Sequence, residues 1–216
     1  MKHRTNRALF SYWNNVRGDR IAPQRFEIDP SRISAILPHT FILERLSAET
    51  MRFRLAGTHI CDLFGTELRG SNFFDGWAAI DRLPLLRQFS VLTSQGAVMV
   101  LYVKLITADN ESVECEVVLL PLVHTRGCID RVLGTCAPLA HPSWVGVKPV
   151  TGKYLMANEL VWPARDPRPV LEQAPVSAPP VEANVFGTQS ARIVRSQGRN
   201  FRVLDGGLTR RDLDEV

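Results

Sequence analysis

Thiols and imidazoles are frequent carriers of covalent and metal chemistry, and this 216-residue chain has four cysteines, Cys61, Cys115, Cys128 and Cys136, and five histidines. Zinc-binding thiols come in closely spaced pairs, and no C-x-x-C occurs here. The four cysteines lie mostly inside apolar runs, the pattern of reduced core thiols in an intracellular protein. A redox-sensing thiol needs a lowered pKa and exposure, and the apolar neighbours of Cys61 argue for a core position instead. His39, Asp62, His124 and Asp130 are the residue types of a catalytic triad, yet no nucleophile sits in a recognisable elbow beside them. Nor does the chain carry a Gly-rich phosphate loop or a pair of acids spaced for hydrolysis. These positions read as ordinary turn and surface residues. No catalytic residue and no metal site is expected.

The elements that would position any chemistry are clearer. Residues 51–77, MRFRLAGTHICDLFGTELRGSNFFDGW, begin as an alternating strand with Met51, Phe53 and Leu55 on one face and Arg52 and Arg54 on the other. Gly57 breaks it, an apolar turn of helix follows through Ile60, Leu63 and Phe64, and Gly65 and Gly70 punctuate the approach to Phe73, Phe74 and Trp77. A strand that hands over to short helices in this way forms a pocket wall rather than a catalytic loop.

Upstream, Ala8, Leu9, Tyr12, Trp13 and Val16 fall on one face of a helix over residues 4–17, with Gly18 as its C-cap. Asp29-Pro30-Ser31 opens a second short helix that Pro38 stops, and residues 40–46 and 51–56 form an antiparallel hairpin. Downstream, Asp81 is expected to cap a longer helix whose buried face is Leu85, Leu86, Phe89 and Leu92, ending at Gly96. Three strands follow, at 98–106, 113–123 and 131–138. Strands interrupted by one helical block define an α+β domain with helices over one sheet face. Both faces of the last strands are apolar, so the outer face needs a cover. The N-terminal helix is the natural one, from its own chain or from a second copy. Leu9, Tyr12, Trp13, Val16, Val100, Tyr102 and Val118 are therefore candidate dimerisation residues.

The pieces RLAGT, CDLFGTELRG and FFDGW, set between two strands and a three-strand meander, resemble a PAS domain, in particular the bacterial family of small single-PAS regulatory proteins (PAS family five). The resemblance covers residues 29–138. It implies a five-stranded antiparallel sheet with helices over one face, dimerisation through a helix N-terminal to the sheet, and a sensory or protein-interaction role. One departure is that Gly57 stands where many PAS domains carry an Asn. A flavin-reactive thiol would need an NCRFLQ-like setting, whereas Cys61 lies in CDLFG. An axial haem ligand would be a His on the longer helix, which has none. His59, the nearby candidate, reads as capping or facing out of its short helix. No resident cofactor is expected. Alternation directs Phe53, Leu55, Ile60, Leu63, Phe64, Phe73, Phe89, Met99, Leu101, Val117 and Leu119 inward, either around an unidentified small ligand or filling the core themselves.

The expected organisation is an N-terminal helix and connection at 1–28, the PAS-like domain at 29–138, a strap packing on it at 139–162, a Pro-rich linker at 163–183 and an Arg-rich tail at 184–216. The net charge of +4 is only mildly basic, but the tail concentrates Arg192, Arg195, Arg199, Arg202, Arg210 and Arg211. Arg195 and Arg199 form an R-x-x-x-R that resembles the opening of a PilZ motif, although too little chain remains for that barrel. The chain lacks the roughly twenty apolar residues of a membrane helix, and a cytoplasmic protein is expected. The favoured function is a non-catalytic sensory or regulatory module acting through a small ligand or an unidentified signalling protein, as a homodimer. The alternatives are a nucleic-acid-associated regulator using the Arg-rich tail and a small α+β enzyme.

Overall fold

The computed structural model describes residues 1–124 and 127–163, together with the backbone of two short strands near the C-terminus. The Pro-rich linker and the Arg-rich tail lie almost entirely outside the described residues. The exceptions in the tail are β7 (Arg195–Ser196) and β8 (Arg199–Asn200), which pair antiparallel with each other.

In chain order the main unit runs α1 (Arg4–Arg17), two 3₁₀ segments (Arg25–Glu27 and Pro30–His39), β1 (Thr40–Arg45), β2 (Met51–Ala56), α2 (Thr58–Phe64), α3 (Ala79–Gln95), β3 (Val98–Thr107), β4 (Ser112–Val123), β5 (Ile129–Pro138) and β6 (Val150–Val161). The six main strands form one antiparallel sheet in the order β2-β1-β5-β4-β3-β6. The expected five strands are present, and a sixth, β6, adds to the edge of β3. It satisfies backbone donors and acceptors that an edge strand would leave open. Its connection from β5 packs Trp144 into the core and passes over α2, where Gly146 N donates to the Asp62 carbonyl at 3.1 Å.

Several local signals act as the residue types demand. Asp29 accepts from Ser31 N at 2.9 Å and opens the Pro30–His39 segment. Gly96 ends α3 in the left-handed conformation (φ 70°). Asp81 does not cap α3, which starts two residues earlier. Its carboxylate instead accepts from Leu155 N on β6 at 2.9 Å, tying helix to strand. Gly57 sits where the backbone crosses the end of the second 3₁₀ segment, and a Cβ there would lie 2.3 Å from the Pro38 carbonyl oxygen. Any side chain at this position, Asn included, would collide with it. At Gly134 a Cβ would meet the tip of the Phe41 ring at 2.3 Å, so the ring occupies the space a side chain on β5 would need.

The sheet separates two cores. The inner core takes Phe41, Leu43, Met51, Phe53, Met99, Leu101, Val117 and Leu119 from the strands and closes them under α2, α3 and the aromatic segment 73–77. The outer core takes Ile42, Val98, Val100, Val118, Leu120, Leu122 and Leu133 and closes them under α1. The cover of the outer face is thus this chain's own helix. Leu9, Trp13, Val100 and Val118 are fully buried against one another's elements, and Tyr12, Val16 and Tyr102 are half-buried at the rim.

Candidate functional site

The inner core is built around Phe73. Edge hydrogen bonds hold its segment beside β2: Gly70 N donates to the Phe53 carbonyl (2.8 Å), Phe53 N to the Ser71 carbonyl (2.9 Å) and Phe73 N to the Met51 carbonyl (2.8 Å). The Asn72 side chain accepts from Met51 N at 3.0 Å, completing the edge. The Phe73 ring then lies 5.2–6.4 Å, centroid to centroid, from Phe41, Phe53, Phe74, Trp77 and Phe89. The Phe41 pair is stacked and the other four are tilted or edge-on, all arrangements that aromatic quadrupoles favour over a direct face-to-face sandwich.

Beside this cluster lies an apolar cavity of about 30 Å³, lined by Phe41, Phe53, Ile60, Phe64, Phe73, Trp77, Val103, Leu105, Val117, Cys136 and Lys153. That is about the space of one water molecule, far below the several hundred Å³ of a typical small-molecule site. Five expected interior residues line it: Phe53, Ile60, Phe64, Phe73 and Val117. Leu63, Phe89, Met99, Leu101 and Leu119 are buried in the same core away from the cavity. An isoalloxazine or a haem does not fit among these side chains as they stand.

Leu55 is a correction. It is 45% exposed, because Arg54 is an extra residue in β2: Leu43 pairs with Phe53, but Ile42 pairs with Leu55. The bulge reverses the alternation, and Leu55 follows Ile42 to the outer face. Arg54 and Arg52 also face outward, where with Arg131 they surround the Glu44 carboxylate at 2.8–3.1 Å.

Lys153 was not foreseen. Strand β6 carries it across the mouth of the inner core, where Lys153 N donates to the Gly76 carbonyl and Ala78 N donates to the Lys153 carbonyl. Its ammonium lies 5.4 Å from the Trp77 ring centroid, 5.6 Å from Phe73 and 6.0 Å from Phe64. It donates to the Phe73 carbonyl at 2.9 Å, an oxygen that Trp77 Nε1 also reaches at 2.8 Å. Burial lowers the pKa of this amine to about 8 despite the nearby Asp75 carboxylate. The only signal in the sequence was one Lys in an otherwise weakly patterned strap.

The opposite face holds a charge in a different environment. Glu116 on β4 is fully buried. It accepts from Lys2 N (2.6 Å), His3 N (3.0 Å) and Asn6 Nδ2 (2.8 Å), while Asn6 Oδ1 accepts from Thr135 (2.7 Å). Burial works to raise its pKa, but these hydrogen bonds outweigh it and leave the carboxyl below its ordinary value. Together with the Trp13 indole, which donates to the Pro121 carbonyl at 2.9 Å, this pins α1 to the sheet. Arg17 at the other end of α1 donates to the Pro163 carbonyl at 3.0 Å, where the chain leaves β6.

The remaining chemistry-bearing residues do not converge. His39 and His124 stand at opposite ends of the sheet, at the start of β1 and past the end of β4. His59 is exposed and lies against His39, ring nitrogens 3.0 Å apart, outside the cavity. Cys61 is half-buried on the Glu67 side of α2, and Cys128 is exposed rather than part of the core; only Cys115 and Cys136 are buried. The reason at Cys128 is its place in the β4–β5 turn, past the last inward residue. No helix among the described residues is long and apolar enough to cross a membrane.

A six-stranded antiparallel sheet with short helices closing one face over an aromatic interior defines a PAS-type sensory fold. The chain belongs to the PAS domain family, whose model matches residues 1–137. The match begins ahead of α1 and ends before β6, so Lys153 lies outside it. Among solved structures, the LOV protein of Rhodobacter sphaeroides is similar, at 13% identity over 54% of this chain and 71% of that one, with a TM-score of 0.40. A single-substitution variant of RsLOV is similar at 14% identity over 52% of this chain and 68% of that one, also at 0.40. No curated protein matches the chain. PAS domains are generally sensory and regulatory modules without catalytic activity.

Proposed function

We propose that this protein is a non-catalytic PAS regulatory module of the cytoplasm. In this reading it senses an event at its inner core and reports it through β6 and α1 to a protein partner. The observation that carries the reading is Lys153: the strand that leaves the domain sends a half-buried cation into the one aromatic interior the fold builds among the described residues. A ligand or contact that displaces this side chain would loosen β6, and Arg17 couples the end of β6 to α1. Dimerisation is proposed through the exposed side of α1 and its rim, including Tyr12, Val16 and Tyr102. Leu9, Trp13, Val100 and Val118 are already covered within the chain.

Mass spectrometry of the full-length protein under native conditions tests both halves at once. Expected are a dimer and a retained small molecule or protein partner from the expressing cell. A strictly apo monomer, with hydrogen exchange in β6 and α1 unchanged by cell extract, would overturn the reading. The nucleic-acid alternative rests on the composition of the tail alone. A steep salt dependence of nucleic-acid binding, lost on removing the residues after 183, would favour it.

A further inference from the structure

We propose that Lys153 is a covalent capture site for small aldehydes of about one or two carbons, held as an imine on Nζ inside the inner core. This names the ligand class for the sensory reading above and rests on it. Among the described residues the amine donates to the Phe73 carbonyl and ion-pairs with no carboxylate, while three aromatic rings surround it. A neutral amine keeps that hydrogen bond and still has a lone pair for the adjoining space. With its pKa brought down to about 8, roughly a tenth of the amine is neutral at pH 7, on the order of two hundred times the share of an ordinary lysine.

The chemistry needs no second reactant. The Nζ lone pair attacks the carbonyl carbon, a C–N bond forms, and the C–O π pair moves to oxygen, which takes one of the two amine hydrogens as a proton. The carbinolamine then loses that hydroxyl together with the remaining amine hydrogen as one water, leaving a C=N bond. The dry surroundings favour the neutral imine over the ammonium, the opposite of the preference in water. The oxygen leaves as water, so only the carbon skeleton must be housed: one carbon matches the cavity of about 30 Å³ that Lys153 lines, a second requires the half-buried lysine to shift, and an aromatic ring is excluded.

The other three lysines of the chain are less suited. Lys148 is held by Asp109 at 2.9 Å and Glu111 at 2.5 Å, which raise its pKa. The Lys2 ammonium stands over the Tyr102 ring on the outer face, and Lys104 also faces outward between β4 and β6.

The test is reductive trapping of the full-length protein with acetaldehyde and cyanoborohydride, read by intact mass and peptide mapping. Expected is a single ethyl group at Lys153, formed at least about tenfold faster than at Lys2, Lys104 or Lys148. The rate should rise with pH to half its maximum near 8. Benzaldehyde should lose that selectivity, and K153M should remove the fast phase while remaining folded by circular dichroism. Even labelling of all four lysines, or Lys153 labelled last, overturns the proposal. If Lys153 stays unlabelled while untreated protein retains another molecule, aldehyde capture fails and the sensory reading stands. If Lys153 is labelled but exchange in β6 and α1 is unchanged, capture stands and the sensory reading fails.

Discussion

The two faces of the sheet each draw a charge out of water, fully at Glu116 and partly at Lys153, and they treat it in opposite ways. On the outer face Glu116 receives three N–H donors and its helix is fixed around it. On the inner face Lys153 keeps one hydrogen bond, no ion pair among the described residues, and a wall of rings. The pKa of each group reports the balance. Hydrogen bonds overcome desolvation at Glu116 and stabilise its charged form. Desolvation wins at Lys153 and favours the neutral form. A saturated buried charge is a fastener, whereas one that its surroundings disfavour is a place where binding can release free energy.

The largest effect that follows is on the outer face. Trp13→Ala removes a fully buried ring and its hydrogen bond to Pro121, with an expected loss of about 3–5 kcal/mol in denaturant unfolding. Hydrogen exchange should rise in β3, β4 and β5 together, because α1 covers all three. An equal loss from Lys153→Met would erase the distinction between the faces.

Lys153→Met is instead expected to stabilise the protein at neutral pH, by up to about 3 kcal/mol. Trp77 Nε1 still satisfies the Phe73 carbonyl, so the substitution leaves no orphaned acceptor. The pH dependence fixes the sign. The folded pKa lies below the unfolded one, so the unfolded chain binds more protons between pH 8 and about 10.4, and wild-type stability rises across that window. The advantage of the variant is full below pH 8 and vanishes above the window. A constant difference at all pH values would mean that lost packing, not burial of charge, sets the effect.

Glu116→Gln should cost about 1.5–3 kcal/mol, since one amide cannot accept all three N–H groups and turns a donor toward them. Here the folded pKa is also lowered, but for an acid. The stabilisation is complete above the ordinary carboxylate range and is lost as pH falls through the lower folded value. Wild type should therefore lose thermal stability in acid more steeply than the variant, with the melting temperature against pH as the measure.

How far these contrasts could be read from residues alone depends on their periodicity. The PAS architecture, the inner aromatic residues and the need to cover the outer face follow from strand alternation and helix spacing, because burial on a regular element is a local property. Lys153 and Glu116 follow no such rule. Each depends on which strand becomes its neighbour, and the pairing of β6 with β3 closes a chain separation that no short window contains. Trp144 and Leu155 hinted that the strap packs, but not that it would complete the sheet. Asp81 illustrates the same limit: it has the right type and place for a cap, yet a backbone amide from β6 takes its carboxylate.

The smallest expected effect tests the break in alternation directly. Regular pairing would bury Leu55 beside Phe53, and Leu55→Ser would then cost about 2–5 kcal/mol as a core truncation. The Arg54 bulge places it on the exposed side with Ile42, so the expected change is within about 0.5 kcal/mol. Deleting Arg54 supplies the converse. It removes the bulge, leaves Leu55 opposite Ile42 and Ala56 opposite Phe41 on the faces they already occupy, and strips Glu44 of one of its three guanidinium partners. That variant should therefore stay folded, at a cost of about 1 kcal/mol or less in denaturant unfolding. If the deletion unfolds the domain and the serine is costly as well, the register of β2 is regular in solution and the inner face extends one residue further than the bulge allows.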